Sequence, residues 1–405
     1  MRALHICYFG LRENLVQTQV LPYLEELARD GHEMSIITFE PDLSTTWSKE
    51  SIREQQRLLR TRGIDWTPLA YHKRPSLPAT LYDVLCGVLF IWRSHRQSPL
   101  DLLHARSHIP MIMALLARSL TRSAVIFDIR GLIADEYVDA GIWRQRSIIY
   151  RVMKRLEMVG IRRADWLIVL TQRMRDYLGQ TAQRIDGRIS VIPCCIDARR
   201  FGGSSAPLPE APMTFEVVYA GSVTGLYLLE EMGRFFLALV SLVPHARLKI
   251  LTAAPAGETS TRLRQIGLDP TQFDLQSVSP ELVPQILANA AVGISFRKPT
   301  FSQIAASPTK VPEYLMAGLP VISNAGIGDT DQILQSERVG IVISELNQEG
   351  YRRAARQLLE LWQDPDLRHR CRSVALRRFA LNEVGGRLYG EAYRQIDLTR
   401  QQSDN

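Results

Sequence analysis

Apolar and polar positions alternate along the chain in two successive series of strand and helix signals. A short apolar run from Leu4 to Tyr8 is followed by a loop through Gly10, a helical pattern carrying Val20, Leu24 and Leu27, a stop at Gly31 and a second run from Met34 to Phe39. That succession predicts a β-α-β unit. Further runs at Leu102 to Ala105, Ala124 to Phe127, Trp166 to Leu170 and Ile189 to Ile192 alternate with helical patterns such as Met111 to Arg118 and Arg144 to Val159. The alternation restarts with Phe215 to Ala220, Arg247 to Leu251 and Ala291 to Phe296 as strands, and Leu226 to Leu242 and Glu281 to Ala288 as helices. Strands alternating with helices predict parallel sheets covered on both faces. Glu349 to Trp362, Asp366 to Leu381 and Leu388 to Leu398 predict terminal helices, and Gln401 to Asn405 a frayed tail.

Between the two series lies Gly202-Gly203-Ser204-Ser205-Ala206-Pro207-Leu208-Pro209, which suits neither helix interior nor central strand. The expected organisation is an N-terminal Rossmann-like domain over 1–198, a linker over 199–210, a C-terminal Rossmann-like domain over 211–385, and a C-terminal helix and tail over 386–405. With 405 residues, two domains of ordinary size can each bury a core. The expected fold class is α/β, with two doubly wound domains facing across a cleft, where ligands of such sheets bind.

Composition narrows the functional classes. Met1-Arg2 runs straight into the first apolar strand, so a cytoplasmic protein without a secretory leader is expected. The cysteines at 7, 86, 194, 195 and 371 show no C-x-x-C spacing and suggest buried thiols rather than disulfides or zinc ligands. The longest apolar stretch, Val84 to Trp92, falls far short of the roughly 20 residues that span a bilayer and reads as a core or interfacial helix. The net charge of +7 is concentrated between Arg144 and Arg175. On a helix from Trp143 to Ile161, Arg144, Arg151, Arg155 and Arg162 fall within about 20° of a common direction. They lie beside Ile148, Val152, Leu156 and Val159. Such a stripe suits either an anionic membrane or the solvated face of a core helix. Nucleic acid is not expected, because no reader motif or interleaved aromatic pattern accompanies the charge.

The richest local chemistry is Ser307-Pro308-Thr309-Lys310-Val311-Pro312-Glu313-Tyr314-Leu315-Met316-Ala317-Gly318-Leu319-Pro320-Val321-Ile322. Ser307 can cap a helix, Pro308 suits its first position, and Gly318 followed by Pro320 stops it. Free amides and the mobile ammonium of Lys310 would then face an anion, with Glu313 on the same helix face three residues on. An ordinary capped helix with a surface ion pair fits the same letters. The loop after the first strand holds one glycine and no G-x-G-x-x-G, which speaks against a nicotinamide dehydrogenase. Gly221 and Gly225 lack a following Gly-Lys-Ser/Thr, which excludes a P-loop.

Four stretches taken together resemble the retaining GT-B-fold glycosyltransferases of family 4 (group 1 glycosyltransferases). They are Gly31-His32-Glu33-Met34, Arg163 to Thr171, Val191 to Asp197 with Phe201, and Ser307 to Ile322. The resemblance implies transfer of a sugar from a nucleotide diphosphate donor to a glycan or lipid-linked acceptor, in surface polysaccharide or glycolipid assembly, without a metal or other cofactor. It implies diphosphate binding by Gly221, Ser222, Arg297 or Lys298, Ser307, Thr309 and Lys310, and ribose binding by Glu313. Asp128 and Arg130 would lie nearest the chemistry, or belong with Asp135 and Glu136 to a strand-end ion-pair network. Arg12, Gln19, Arg106 and His108 are the acceptor candidates; His104 and His108 suit structural roles equally well. Two departures stand out: Ala305 occupies the place of a second glutamate, and Arg130 that of a histidine. They keep in view a non-catalytic nucleotide-sugar-binding or partner subunit; a nucleotide-sugar epimerase, less favoured, stays open because a donor site alone does not fix the fate of the sugar.

Overall fold

The structure is a computed structural model that describes residues 1–74, 76–182, 185, 187–208 and 214–404. Pro209 and Glu210 of the expected linker, residues 211–213 of the expected second domain and Asn405 of the tail lie outside the described residues.

The first sheet contains β1 (Arg2–Cys7), β2 (Glu33–Pro41), β3 (Ile64–Tyr71), β4 (Leu102–Arg106), β5 (Ala124–Asp128), β6 (Trp166–Val169) and β7 (Ile189–Val191). All pairs are parallel and the order is β3-β2-β1-β4-β5-β6-β7. The second sheet contains β8 (Glu216–Ala220), β9 (Arg247–Leu251), β10 (Phe273–Gln276), β11 (Val292–Ser295), β12 (Val321–Asn324) and β13 (Gly340–Ile343). Its strands are also parallel, in the order β10-β9-β8-β11-β12-β13. Each sheet therefore reverses direction beside its first strand, the doubly wound arrangement that creates a switch point.

Two compact units result. One comprises Met1–Asp135, Trp143–Pro193 and Asn382–Asn405; the other comprises Glu136–Ile142 and Cys194–Leu381. The divisions fall after Pro193 and after Leu381, a few residues before the 198 and 385 read from the sequence. The C-terminal helix Arg387–Asp404 is not a separate appendage but part of the first unit. Tyr389 packs at a tilt against the Tyr23 ring and Tyr393 bonds to His104, which draws the helix onto that unit.

Three strands had no clear counterpart in the apolar runs: β3, β10 and β13. Each is an edge strand of its sheet. An edge strand needs no continuous apolar run, and β3 tolerates Pro68 and charged Asp65 for that reason. The basic helix also begins later than expected, at Ile148 rather than Trp143. Ser147 caps it, its Oγ accepting from the Tyr150 amide at 3.3 Å, so Arg144 lies before the helix and outside the stripe.

Candidate functional site

In the second unit, Tyr314 positions the helix Lys310–Met316. Its ring lies over Gly293 of β11, where an added Cβ would come within 2.3 Å. Its hydroxyl accepts from the Ala220 amide at 2.9 Å. Helix and sheet are thereby locked in register, and Gly318 (φ +79°) ends the helix as expected. Gly293→Ala should cost about 1–3 kcal/mol by forcing ring and helix apart, read as a lowered denaturant midpoint with an unchanged m-value.

The register places Lys310 inside the unit. The residue is 5% exposed, not mobile as the sequence suggested. Its Nζ donates to Tyr219 Oη at 3.2 Å and sits 4.4 Å and 4.0 Å from the ring centres of Tyr219 and Tyr227. Among the described residues no carboxylate lies within salt-bridge distance of this ammonium. Burial, reinforced by the nearby Arg297 charge, pushes its pKa well below the usual lysine value, and Glu313 only partly opposes this. Arg297 is held by Gln303 Oε1 (2.6 Å), Tyr227 Oη (3.2 Å) and the Tyr227 ring (4.9 Å). Lys298 points elsewhere, its Nζ reaching the Asp139 carbonyl at 3.5 Å, so of this expected pair only Arg297 joins Lys310.

Gly221 closes the same corner. Its φ is +139°, and a Cβ there would meet Lys310 Nζ at 3.1 Å, so only glycine fits both the turn and the lysine. Ser222 bonds to Thr224 (Oγ to Oγ1, 3.2 Å) beside it, and its carbonyl accepts from the Tyr219 hydroxyl. Ser307 is a correction: its Oγ accepts from the Cys194 amide at 3.1 Å, and it caps nothing. Thr309 is the N-cap and makes no side-chain cap bond to the first helical amides. Glu313 accepts from Arg200 Nη1 at 3.0 Å, and burial raises its carboxyl pKa while Arg200 pulls it back. Arg200, Tyr219 and Tyr227 were missed from sequence because only the fold brings them to this helix.

In the first unit, Asp128 is fully buried at the end of β5. Its Oδ2 accepts from Tyr389 Oη (3.0 Å) and Arg106 Nη1 (3.4 Å), and Oδ1 lies 3.5 Å from Arg130 Nη1. Burial favours the neutral carboxyl, but Arg130, His104 at 3.8 Å and Arg106 outweigh it and hold the pKa far below the usual range. Asp128 and Arg130 thus share an interior network with Arg106 and Tyr389. Asp135 joins a separate network with Tyr150, Lys154, Glu157 and His108. Of the acceptor candidates, Gln19, Arg106 and His108 are buried, the latter two spent on Asp128 and Glu157. Arg12 remains exposed, 3.8 Å over the Trp47 ring and bonded to the Thr46 carbonyl.

Residues 16–195 match the glycosyl transferase 4-like domain. Solved structures resemble the whole chain. Sucrose-phosphate synthase of Thermosynechococcus elongatus superposes with a TM-score of 0.73 at 14% identity, over 98% of this chain and 100% of that one. The chain has the GT-B fold. Other GT-B matches include HepE of Anabaena in complex with UDP and glucose (TM-score 0.68, 14% identity, 97% and 99% covered). WaaG, described as a glycosyltransferase involved in lipopolysaccharide biosynthesis, also matches (TM-score 0.63, 15% identity, 98% and 99% covered). No match was found among curated protein sequences. Within this GT-B chain, the corner built by Gly221, Arg297 and Lys310 belongs to the C-terminal unit.

Proposed function

We propose that this GT-B chain is a retaining glycosyltransferase that moves a hexosyl group from a nucleoside diphosphate sugar to a glycan or lipid-linked acceptor. Assembly of surface polysaccharide or glycolipid at the cytoplasmic face of a membrane is the process that fits this reading. The observation that carries it is Lys310, a buried ammonium held on two tyrosine rings beside Arg297, with no carboxylate partner among the described residues. Two cations facing one another in a desolvated corner are unfavourable alone and favourable around a diphosphate. As the bond from the sugar to the diphosphate breaks, negative charge grows on the departing oxygen, and fixed cations there stabilise it. In this reading Gly221 and Ser222 let backbone approach the phosphates, Thr309 opens the helix toward them, and Glu313 exchanges Arg200 for the ribose hydroxyls. UDP is the first nucleotide to test, because HepE is described in complexes with UDP and UDP-glucose. Arg12 is the acceptor residue this reading keeps.

Two observations favour a non-catalytic, nucleotide-sugar-binding role instead. Ala305 is buried and offers no carboxylate to the donor sugar, and Asp128 is enclosed in the first unit. Release of nucleoside diphosphate from a nucleotide sugar, dependent on added membranes or lipid-linked oligosaccharide, decides between them. Turnover supports the transferase, and binding without turnover supports the other role.

A further inference from the structure

The helices Ser76–Gln97, His108–Thr121 and Ile148–Arg163 occupy the β3-to-β4, β4-to-β5 and β5-to-β6 connections. These connections all advance the same way across the sheet, so right-handed crossovers place the three helices on one face. The first packs on the second and the second on the third. Glycines bring them close: a Cβ on Gly87 would meet Met113 Sδ at 2.6 Å, and one on Gly160 would meet Met111 Sδ at 2.7 Å. They form a continuous layer.

The outer side of that layer is apolar. Leu77, Leu81, Leu85 and Leu89 recur every four residues along the first helix and are 62%, 65%, 65% and 42% exposed. Leu116 and Leu120 continue the surface on the second helix, and Ile148, Val152 and Val159 on the third, with Ile148 73% exposed. Arginines are interleaved with them. Arg151, Arg155, Arg162 and Arg163 are exposed on the third helix, Arg93 and Arg96 on the first, and Arg122 just beyond the second. The only acidic residues in the three helices are Asp83 and Glu157. Both are buried and already paired, Asp83 with Tyr8 and His72, Glu157 with His108 and Lys154. Near the ends of the second and third helices lies a groove of about 560 Å³ lined by Leu115, Arg118, Ser119, Arg122 and Arg163. Asp165 at its edge is bridged to Arg118 at 2.8 Å.

An exposed apolar face of this breadth marks an interaction surface. Its charge selects the partner. A purely apolar protein surface would strand the arginines, whereas an anionic bilayer satisfies both sets of groups at once. We propose that the three-helix face docks on an anionic lipid surface, with the leucine row in the acyl boundary and the arginines on headgroup phosphates. Among the described residues no helix is long and apolar enough to cross a membrane, so the contact is peripheral. The proposal gives the lipid-linked acceptor reading a surface and does not depend on nucleotide binding.

The test is co-sedimentation of the full chain with phosphatidylcholine vesicles, with and without phosphatidylglycerol, at low and high salt. Wild type is expected to pellet with the anionic vesicles and to be released by salt. Leu81→Glu/Leu85→Glu and, separately, Arg151→Glu/Arg155→Glu should each weaken binding about tenfold or more. Circular dichroism and nucleotide binding should be unchanged, because these residues lie on the outer face of the first unit. Wild type that stays in the supernatant overturns the proposal, as does equal binding to neutral vesicles or binding indifferent to the leucine substitutions. A wild-type dimer that Leu81→Glu/Leu85→Glu turns into monomer, with no vesicle binding, overturns it in favour of a second copy of the chain.

Discussion

Lys310→Met should weaken nucleoside diphosphate binding about a hundredfold while leaving the unliganded protein as stable as wild type or more so. The two halves have one cause. In the free protein the ammonium is buried on tyrosine rings without a carboxylate, so its desolvation is poorly offset, and an apolar side chain of similar length removes that penalty. With ligand, the same charge contacts the diphosphate in a desolvated corner, where losing one such donor costs about 3 kcal/mol or a hundredfold in affinity. A lysine with a merely structural role would give the opposite pattern, lower stability and unchanged binding. The sign of the pH effect follows from the lowered Lys310 pKa. Between that value and the ordinary 10.5 of the unfolded chain, the folded protein binds fewer protons, so stability rises with pH across the window. A bound dianion raises the pKa again. Nucleotide binding should therefore take up a proton in that window and weaken as pH rises, which calorimetry in buffers of different ionisation enthalpy reads directly; Lys310→Met should show no such linkage.

Asp128→Ala should destabilise the protein by about 3–5 kcal/mol, because it leaves the Arg106 charge buried without its partner. The carboxylate joins β5 to β4 through Arg106 and to the C-terminal helix through Tyr389. Tyr389→Phe removes one hydrogen bond to a charged acceptor and should cost about 1.5–3 kcal/mol, less than Asp128→Ala. The folded-state pKa of Asp128 is depressed, so its stabilisation is fully present above the unfolded value of 3.8 and is lost as pH falls toward the folded value. The gap between wild type and Asp128→Ala in urea midpoints should be constant near neutrality and narrow in acid. A constant gap at all pH values would mean that the carboxylate charge contributes nothing.

The doubly wound sheets were legible because their central strands are continuous apolar runs and their connecting helices carry a 3.6-residue pattern. The edge strands β3, β10 and β13 were not, since half-buried backbone places little demand on side chains. The Lys310 to Ile322 segment was legible as helix, glycine stop and strand, and the local rules correctly put Lys310 and Glu313 on one short helix. They failed on Ser307, whose hydroxyl is taken by the Cys194 amide more than a hundred residues away in sequence. They failed equally on the environment of Lys310. A lysine at a helix start reads as exposed, and only Tyr314 packing on Gly293 draws this one inward toward Tyr219 and Tyr227. Asp128 shows the same limit: its partner Tyr389 lies at the far end of the chain, and nothing local in the sequence announces that contact.

The most direct test of the donor site is a thermal-shift and calorimetric panel of UDP, GDP, ADP, CMP and dTDP, with NAD as control, on wild type, Lys310→Met and Glu313→Ala. A ligand that binds only the folded state raises its melting temperature with concentration. One nucleoside diphosphate is expected to do so, NAD is not, and both substitutions should weaken the response, Lys310→Met the more. No response to any nucleoside diphosphate, or one that ignores Lys310, would contradict the assignment of this corner to a nucleotide-sugar donor.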